Sequence, residues 1–258
     1  MDMDKDQVHI KKVKSLYGLL GKQISYSFSK GYFNEKFANS GLTDFYYTNF
    51  DLDRIDDLEP LLTSLPNVKG FNVTIPYKEK VISFLDEIDE EAKLIGAVNT
   101  VKFLKGNKLK GYNTDVYGFE YSILPLIKPI HRKGLILGTG GASKAIAHAF
   151  VKLGIDFKYV SRENKGENTI SYDDLDEEII KAHLIVVNCS PVGTFPHINV
   201  CPNLPYEFIT HDHLFFDLIY NPSETLFLKK AKFYGAQIKN GKEMLELQAE
   251  KAWEIWNY

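Results

Sequence analysis

The run Gly138-Thr139-Gly140-Gly141-Ala142-Ser143 limits the possible folds of this chain more than any other. It follows the apolar, strand-like Leu135-Ile136-Leu137 and opens a helical pattern predicted over 143–153. Further strands are predicted over 157–160, 184–188 and 214–218, with a helix over 173–182. This alternation implies a parallel sheet with helices on both faces. In such a unit the first glycine permits a tight turn and the second lets a pyrophosphate approach the backbone. The helix N-terminus then faces the negative charge. A glycine turn alone is also a common structural turn; the strand before it and the helix after it point to a dinucleotide. Gly138, Gly140, Gly141 and Ala142 are the expected backbone contacts. Ser143 replaces the usual third Gly or Ala, where it packs closely or acts as an N-cap.

The chain has 258 residues, comfortable for two domains of ordinary size. Upstream of the glycine turn, strands are predicted over 14–20, 44–50 and 68–74. Residues 33–37 and 58–65 read as helical, and Pro76 suits the first turn of a helix continuing over 77–85. Residues 97–104 and 108–112 flank Lys105-Gly106-Asn107 as a hairpin, followed by a connecting helix over 115–127. A last helix is predicted over 242–256. The expected fold class is therefore α/β with two domains: an N-terminal domain with a mixed sheet and a Rossmann-like doubly wound domain.

Net charge is -3, which favours no polyanion partner such as nucleic acid. The two cysteines, Cys189 and Cys201, form no CxxC pair and are expected as free thiols. The first residues are polar and acidic, unlike a signal peptide, and no run is long enough to span a bilayer. These features suggest a cytoplasmic protein with no membrane partner. The histidines show no HxxxH spacing. Neither a metal nor a catalytic histidine is expected, only histidines of surface and loops.

Two runs carry the chemistry: Gly70-Phe71-Asn72-Val73-Thr74-Ile75-Pro76-Tyr77-Lys78 and Gly111-Tyr112-Asn113-Thr114-Asp115. Each ends a strand and delivers one titratable side chain among small polar groups. Alone, Lys78 reads as a surface lysine and Asp115 as a helix N-cap. Ahead of a dinucleotide turn, the pair suggests proton transfer coupled to hydride transfer, the chemistry of an alcohol–ketone dehydrogenase. Asn72 and Asn113 read as structural, bridging strand ends. After the second strand of the parallel sheet comes Val160-Ser161-Arg162-Glu163-Asn164-Lys165. Arg162 can pair with a 2′-phosphate, Ser161 can donate to it and Lys165 adds charge, so NADP is preferred; Glu163 keeps NAD open. Ser27 and Ser29 alternate on a polar segment read as extended, where both hydroxyls can face one anion. Gln248 shares a stripe with Met244, Ala252 and Trp256. An amide there finds a ligand or a core partner, or costs about 1–3 kcal/mol.

In order and spacing these segments resemble the shikimate dehydrogenase family. The similarity extends from Tyr17-Gly18-Leu19-Leu20-Gly21 through Ser27-x-Ser29, the two runs above and Gly96-Ala97-Val98-Asn99-Thr100. It continues through the glycine turn, Asn188-Cys189-Ser190-Pro191-Val192-Gly193, Tyr220-x-Pro222-x-x-Thr225 and Gly241-x-x-Met244-Leu245-x-x-Gln248-Ala249. The resemblance implies reduction of 3-dehydroshikimate to shikimate with NADPH, in aromatic amino-acid biosynthesis. It implies Lys78 and Asp115 as the catalytic pair and Ser27 and Ser29 as ligands of the substrate carboxylate. Thr74, Asn99 and Gln248 would bind ring hydroxyls, with Tyr220 also on the substrate side. Gly241 would be a backbone contact near the nicotinamide, and 188–193 a loop beside the cofactor. The substrate domain is expected over 1–115 plus 239–258, and the NADP domain over 116–238, in a monomer or homodimer.

The chain departs from the family pattern at Tyr26, at Lys30 and in the Ser161-Arg162 loop with Lys165. An NAD-using quinate/shikimate dehydrogenase is one rival reading. A ligand sensor without turnover is another, disfavoured by retention of both Lys78 and Asp115.

Overall fold

A computed structural model describes residues 10, 12–25, 27–162, 166 and 168–258. Their contacts divide into two compact units, one of residues up to Thr114 with Ala249–Tyr258, the other Asp115–Gln248. Tyr26, Glu163 and Lys165 lie outside the described residues.

The first unit runs β1 (Ser15–Gly21), α1 (Phe28–Asn39), β2 (Phe45–Asp51), α2 (Leu58–Ser64), β3 (Val68–Val73), β4 (Glu87–Ile88), α3 (Glu90–Ile95), β5 (Thr100–Phe103) and β6 (Leu109–Tyr112). The sheet order is β2-β1-β3-β5-β6-β4. β1 is parallel to β2 and β3, while β3, β5 and β6 are antiparallel neighbours, so the sheet is mixed. β1 is buried along almost its whole length, which explains its unbroken apolar run. Leu16, Leu20, Phe71, Val73 and Val101 belong to one core cluster. Tyr17, Phe33, Phe37, Tyr47 and Trp256 form another, largely aromatic. Gly70 admits the indole: a Cβ there would lie 2.3 Å from Trp256 Nε1, which donates to Val101 O at 3.0 Å.

The second unit runs α4 (Asp115–Ile123), β7 (Lys133–Leu137), α5 (Gly141–Lys152), β8 (Asp156–Ser161), β9 (Thr169–Ser171), α6 (Glu177–Ala182), β10 (Ile185–Asn188), β11 (Leu214–Asp217), α7 (Leu226–Phe233), β12 (Gln237–Lys239) and α8 (Lys242–Asn257). All its strand pairs are parallel, in the order β12-β11-β10-β7-β8-β9. The order reverses between β7 and β10. That switch point is where doubly wound sheets bind ligands, outside the carboxyl ends of the strands.

The main strands and the last helix agree with the sequence reading; several local details differ. The segment before residue 33 is helical from Phe28, with Ser27 as N-cap, so Ser29 lies in a first helical turn and not on an extended segment. After Pro76 there is no α-helix, only a 3-10 turn over Lys80–Phe84. Lys78 O accepts from Val98 N at 2.8 Å, which ties this segment to the sheet and not to a helical ladder. The helix after the glycine turn starts at Gly141 with Gly140 as N-cap. Ser143 is therefore not the cap; its hydroxyl donates back to Gly140 O at 2.6 Å. The helix expected over 173–182 is shorter, because Asp176 caps a new start by accepting from Ile179 N.

The chain returns to the first unit at Ala249, later than the expected 239. β12 pairs with β11, and Met244 packs against Gly118, so both remain in the second unit. His131, His183 and His213 are not surface residues: each is buried and bonds a backbone carbonyl, of Asp212, Ile179 and Ile180 respectively. Both described cysteines are free thiols.

Candidate functional site

In the first unit the polar residues singled out above meet at the ends of β3, β5 and β6. Asn99 is buried, and its Oδ1 accepts from Thr114 N at 2.7 Å and from Thr100 Oγ1 at 3.1 Å. Its Nδ2 donates to Thr114 Oγ1 at 3.1 Å. Asn72 Nδ2 donates to Thr100 Oγ1 at 3.0 Å, and Asn72 Oδ1 accepts from Tyr47 at 2.8 Å. The Tyr47 phenol also shares a hydrogen bond with the Ser29 side chain. Ser29 and Asn99 thus belong to one continuous network. Tyr47, Thr100 and Thr114 were not singled out by sequence reasoning. Asn72, read as a strand-end bridge, joins them, whereas Asn113 does bridge, donating to Ala97 O at 2.9 Å.

Ser27 caps α1, its Oγ accepting from Ser29 N at 3.2 Å. The two serines therefore sit at a helix N-terminus, which favours an anion. Thr74 leaves β3 with its N–H on Leu20 O at 2.8 Å. Val73 N donates to Asn99 O, so Thr74 lies one residue beyond that tie. Lys78 is half-buried and anchored through its backbone to Val98, the neighbour of Asn99.

In the second unit Asp115 is buried at the start of α4. One turn later Gly118 lies against α8, where an added Cβ would be 2.5 Å from Met244 O and 3.2 Å from Gln248 Cβ. This close approach seats Gln248 beside the helix that begins with Asp115. A glycine inside a helical pattern was the available signal for it. Gly241 meets β11 in the same way: a Cβ there would lie 2.1 Å from Leu218 O, and Gly241 N donates to Ile219 O at 3.1 Å. That bond places Gly241 next to the segment carrying the half-buried Tyr220.

The glycine turn follows β7 at the switch point. Gly138 has φ +109°, a left-handed conformation that suits glycine, and faces the Cys189–Ser190 backbone. Gly140 is in open space: a Cβ there would meet nothing within 4 Å. No side chain caps α5 at Gly140. Its first-turn amides thus suit a phosphate-bearing ligand, for which a side chain at 140 would be an obstacle. Gly141 and Ala142 form the first helical residues. Ser161 ends β8, and the exposed Arg162 follows it.

Below this turn lies a buried carboxylate that sequence reasoning missed. Asp217 ends β11 and accepts from Asn188 Nδ2 at 3.0 Å, Ile219 N at 3.1 Å and Thr225 Oγ1 at 2.5 Å. Asn188 Oδ1 in turn accepts from Ser190 Oγ at 2.7 Å, which fixes the loop after β10. Burial pushes the Asp217 pKa up from 3.8 to about 6, against the opposing effect of those hydrogen bonds. A raised folded-state pKa stabilises the protonated form. The stabilisation is full below about pH 4 and is lost as pH rises through about 6, a change of roughly 2–3 kcal/mol. Wild type should therefore lose that much stability relative to Asp217→Asn between pH 4 and pH 7 in denaturant titrations. A pH-independent difference between the two proteins would refute the assignment.

A sequence profile for the shikimate dehydrogenase substrate binding domain matches residues 19–101. The shikimate dehydrogenase (NADP(+)) of Methanococcus vannielii is 36% identical over 261 residues, spanning 93% of this chain and 90% of that relative. The crystal structure of shikimate dehydrogenase from Aquifex aeolicus aligns with a TM-score of 0.84 and 34% identity, covering 99% of this chain and 94% of that one. Shikimate 5-dehydrogenase from Thermus thermophilus, in complex with NADP(H) and shikimate, aligns with a TM-score of 0.82 and 29% identity, covering 93% and 92%.

Proposed function

The chain belongs to the shikimate dehydrogenase family, and from that premise we propose how its residues share the reduction of 3-dehydroshikimate to shikimate. The activity is that of an NADP-dependent oxidoreductase of aromatic amino-acid biosynthesis. The substrate-binding role falls to the first unit and the NADP-binding role to the second. Bound NADPH supplies the hydride.

Hydride arrival at the ketone carbon leaves an alkoxide oxygen, and Lys78 donates the proton it needs. Asp115 holds the ammonium or relays that proton; within such a coupled pair the two roles are shared. Ser27 and Ser29 bind the substrate carboxylate at the N-terminus of α1, while Thr74, Asn99 and Gln248 take the ring hydroxyls. Tyr220 is a further substrate-side group. The observation supporting this assignment most directly is the network joining Ser29 to Asn99 and Thr114, which prepositions several short polar groups for one small hydroxylated ring.

The backbone at Gly138, Gly140, Gly141 and Ala142 cradles the pyrophosphate, Ser161 and Arg162 hold the 2′-phosphate, and Gly241 borders the nicotinamide. Lys165 is proposed as an added charge on the phosphate from its sequence position alone. Free thiols at Cys189 and Cys201 suit a cytoplasmic enzyme. No described helix is long and apolar enough to cross a membrane.

Steady-state rates with 3-dehydroshikimate and each nicotinamide test the cofactor site. NADPH should exceed NADH by at least about tenfold in kcat/KM, because a charge-assisted phosphate pair contributes about 1.5–3 kcal/mol. Arg162→Ala should remove most of that preference while barely changing the KM for shikimate. Equal use of both cofactors by the unmutated protein would remove Arg162 from the site.

A further inference from the structure

Tyr47 is fully buried in β2, which stands at one end of its sheet. Two features hold it against α1. Its ring stacks on Phe33, with centroids 4.6 Å apart and planes at 11°. The Asn34 amide closes a double bond with its backbone: Nδ2 donates to Tyr47 O and Tyr47 N donates to Oδ1, both at 2.8 Å. Ser29 lies one helical turn before Phe33, on the same side of α1, and its hydroxyl bonds the Tyr47 phenol.

Counting hydrogens fixes the direction of that bond. The phenol has one hydrogen and gives it to Asn72 Oδ1 at 2.8 Å. Asn72 cannot reverse its amide without loss, because Nδ2 already donates to Thr100 Oγ1 at 3.0 Å and Asn99 O at 3.3 Å. The phenol oxygen is left to accept, so Ser29 spends its only hydrogen on Tyr47. Donation then runs one way, from Ser29 through Tyr47, Asn72 and Thr100 to Asn99. Burial also keeps the phenol protonated, its pKa lying well above 10.0. Ser27 differs, since its Oγ accepts from Ser29 N and its hydrogen lies outside this chain of bonds.

We propose that Tyr47 is a positioning residue that withholds the Ser29 hydrogen from the substrate carboxylate. Ser27 donates first, and Ser29 donates only by giving up its bond to Tyr47. The proposal rests on the reading that both serines face that carboxylate. Turning Ser29 towards the anion strands a buried phenol oxygen without its donor, which weakens ground-state binding by about tenfold. Tyr47 therefore acts on KM and not on the chemical step.

A double-mutant cycle in shikimate oxidation with NADP separates the possibilities. Tyr47→Phe should lower KM about fivefold and change kcat by less than about twofold. Ser29→Ala should raise KM less than about threefold in the wild type but about tenfold in the Tyr47→Phe background, with the double mutant matching Ser29→Ala. A KM that rises or stays constant in Tyr47→Phe overturns the proposal. An equally large Ser29→Ala effect in both backgrounds overturns it while leaving the carboxylate reading intact. No Ser29→Ala effect in either background overturns both. If Tyr47→Phe does not fold, 3,5-difluorotyrosine at position 47 keeps the donor to Asn72 and weakens the acceptor. KM should again fall, and its failure to fall counts against the proposal.

Discussion

Lys78→Ala is expected to lower kcat by about 10²–10⁴, the usual worth of a positioned acid–base group. The fold should barely register the change. Lys78 is tied to the sheet through its backbone carbonyl, which accepts from Val98 N and is unaffected by truncating the side chain. The unfolding midpoint and the affinity for NADPH should stay close to wild type. Asp115→Asn keeps the shape of a buried residue at the start of α4 and removes its charge, so it too should cut kcat. If the pair works as one unit, the double mutant will be little worse than the worse single one. Additive losses would assign Lys78 and Asp115 separate roles. Near-normal kcat in Lys78→Ala would end the proton-donor assignment.

Gly118→Ala should have the next largest effect, on stability and catalysis together. The new Cβ would lie 2.5 Å from Met244 O and 3.3 Å from Gln248 N, and backbone atoms cannot swing aside. α4 and α8 must separate, at a cost of about 1–3 kcal/mol. Because α4 carries Asp115 and α8 carries Gln248, the shift moves two functional side chains. Displacements of about 1 Å can cost up to about 10² in rate, so kcat/KM should fall by at least about tenfold. Gly31→Ala is the control. It lies on the exposed side of α1 with nothing within 4 Å of an added Cβ, and should be neutral or stabilising by about 0.5–1 kcal/mol. Wild-type behaviour in both variants would show that the α4–α8 contact is not tight.

Much of the second unit was legible because its signals are local. An apolar strand, a glycine turn and a helix follow one another within a few residues, and the parallel order of the strands follows from their alternation with helices. α1 was only half legible. Its buried residues are Phe33 and Phe37, and the rest of its contacts are polar, such as Asn34 on the Tyr47 backbone and Lys36 on Glu250. A helix held that way has little apolar periodicity to read. β4 and β9, with two and three residues, are too short to show any period. Asp217 did leave a trace, a charge closing the apolar Leu214-Phe215-Phe216 run, but burial alone distinguishes it from an ordinary strand end.

The sequence by itself determined the fold class, the family and the residue types available for proton transfer and phosphate binding, because strand, turn and helix preferences act over neighbouring residues. Tertiary structure alone decided which polar group each of those residues faces. Tyr47 and Asn72 are 25 positions apart, and Asn72 and Thr100 are 28 apart. No local pattern spans such separations. A hydroxyl has one hydrogen to give, so which neighbour receives it depends on strands brought together only by folding.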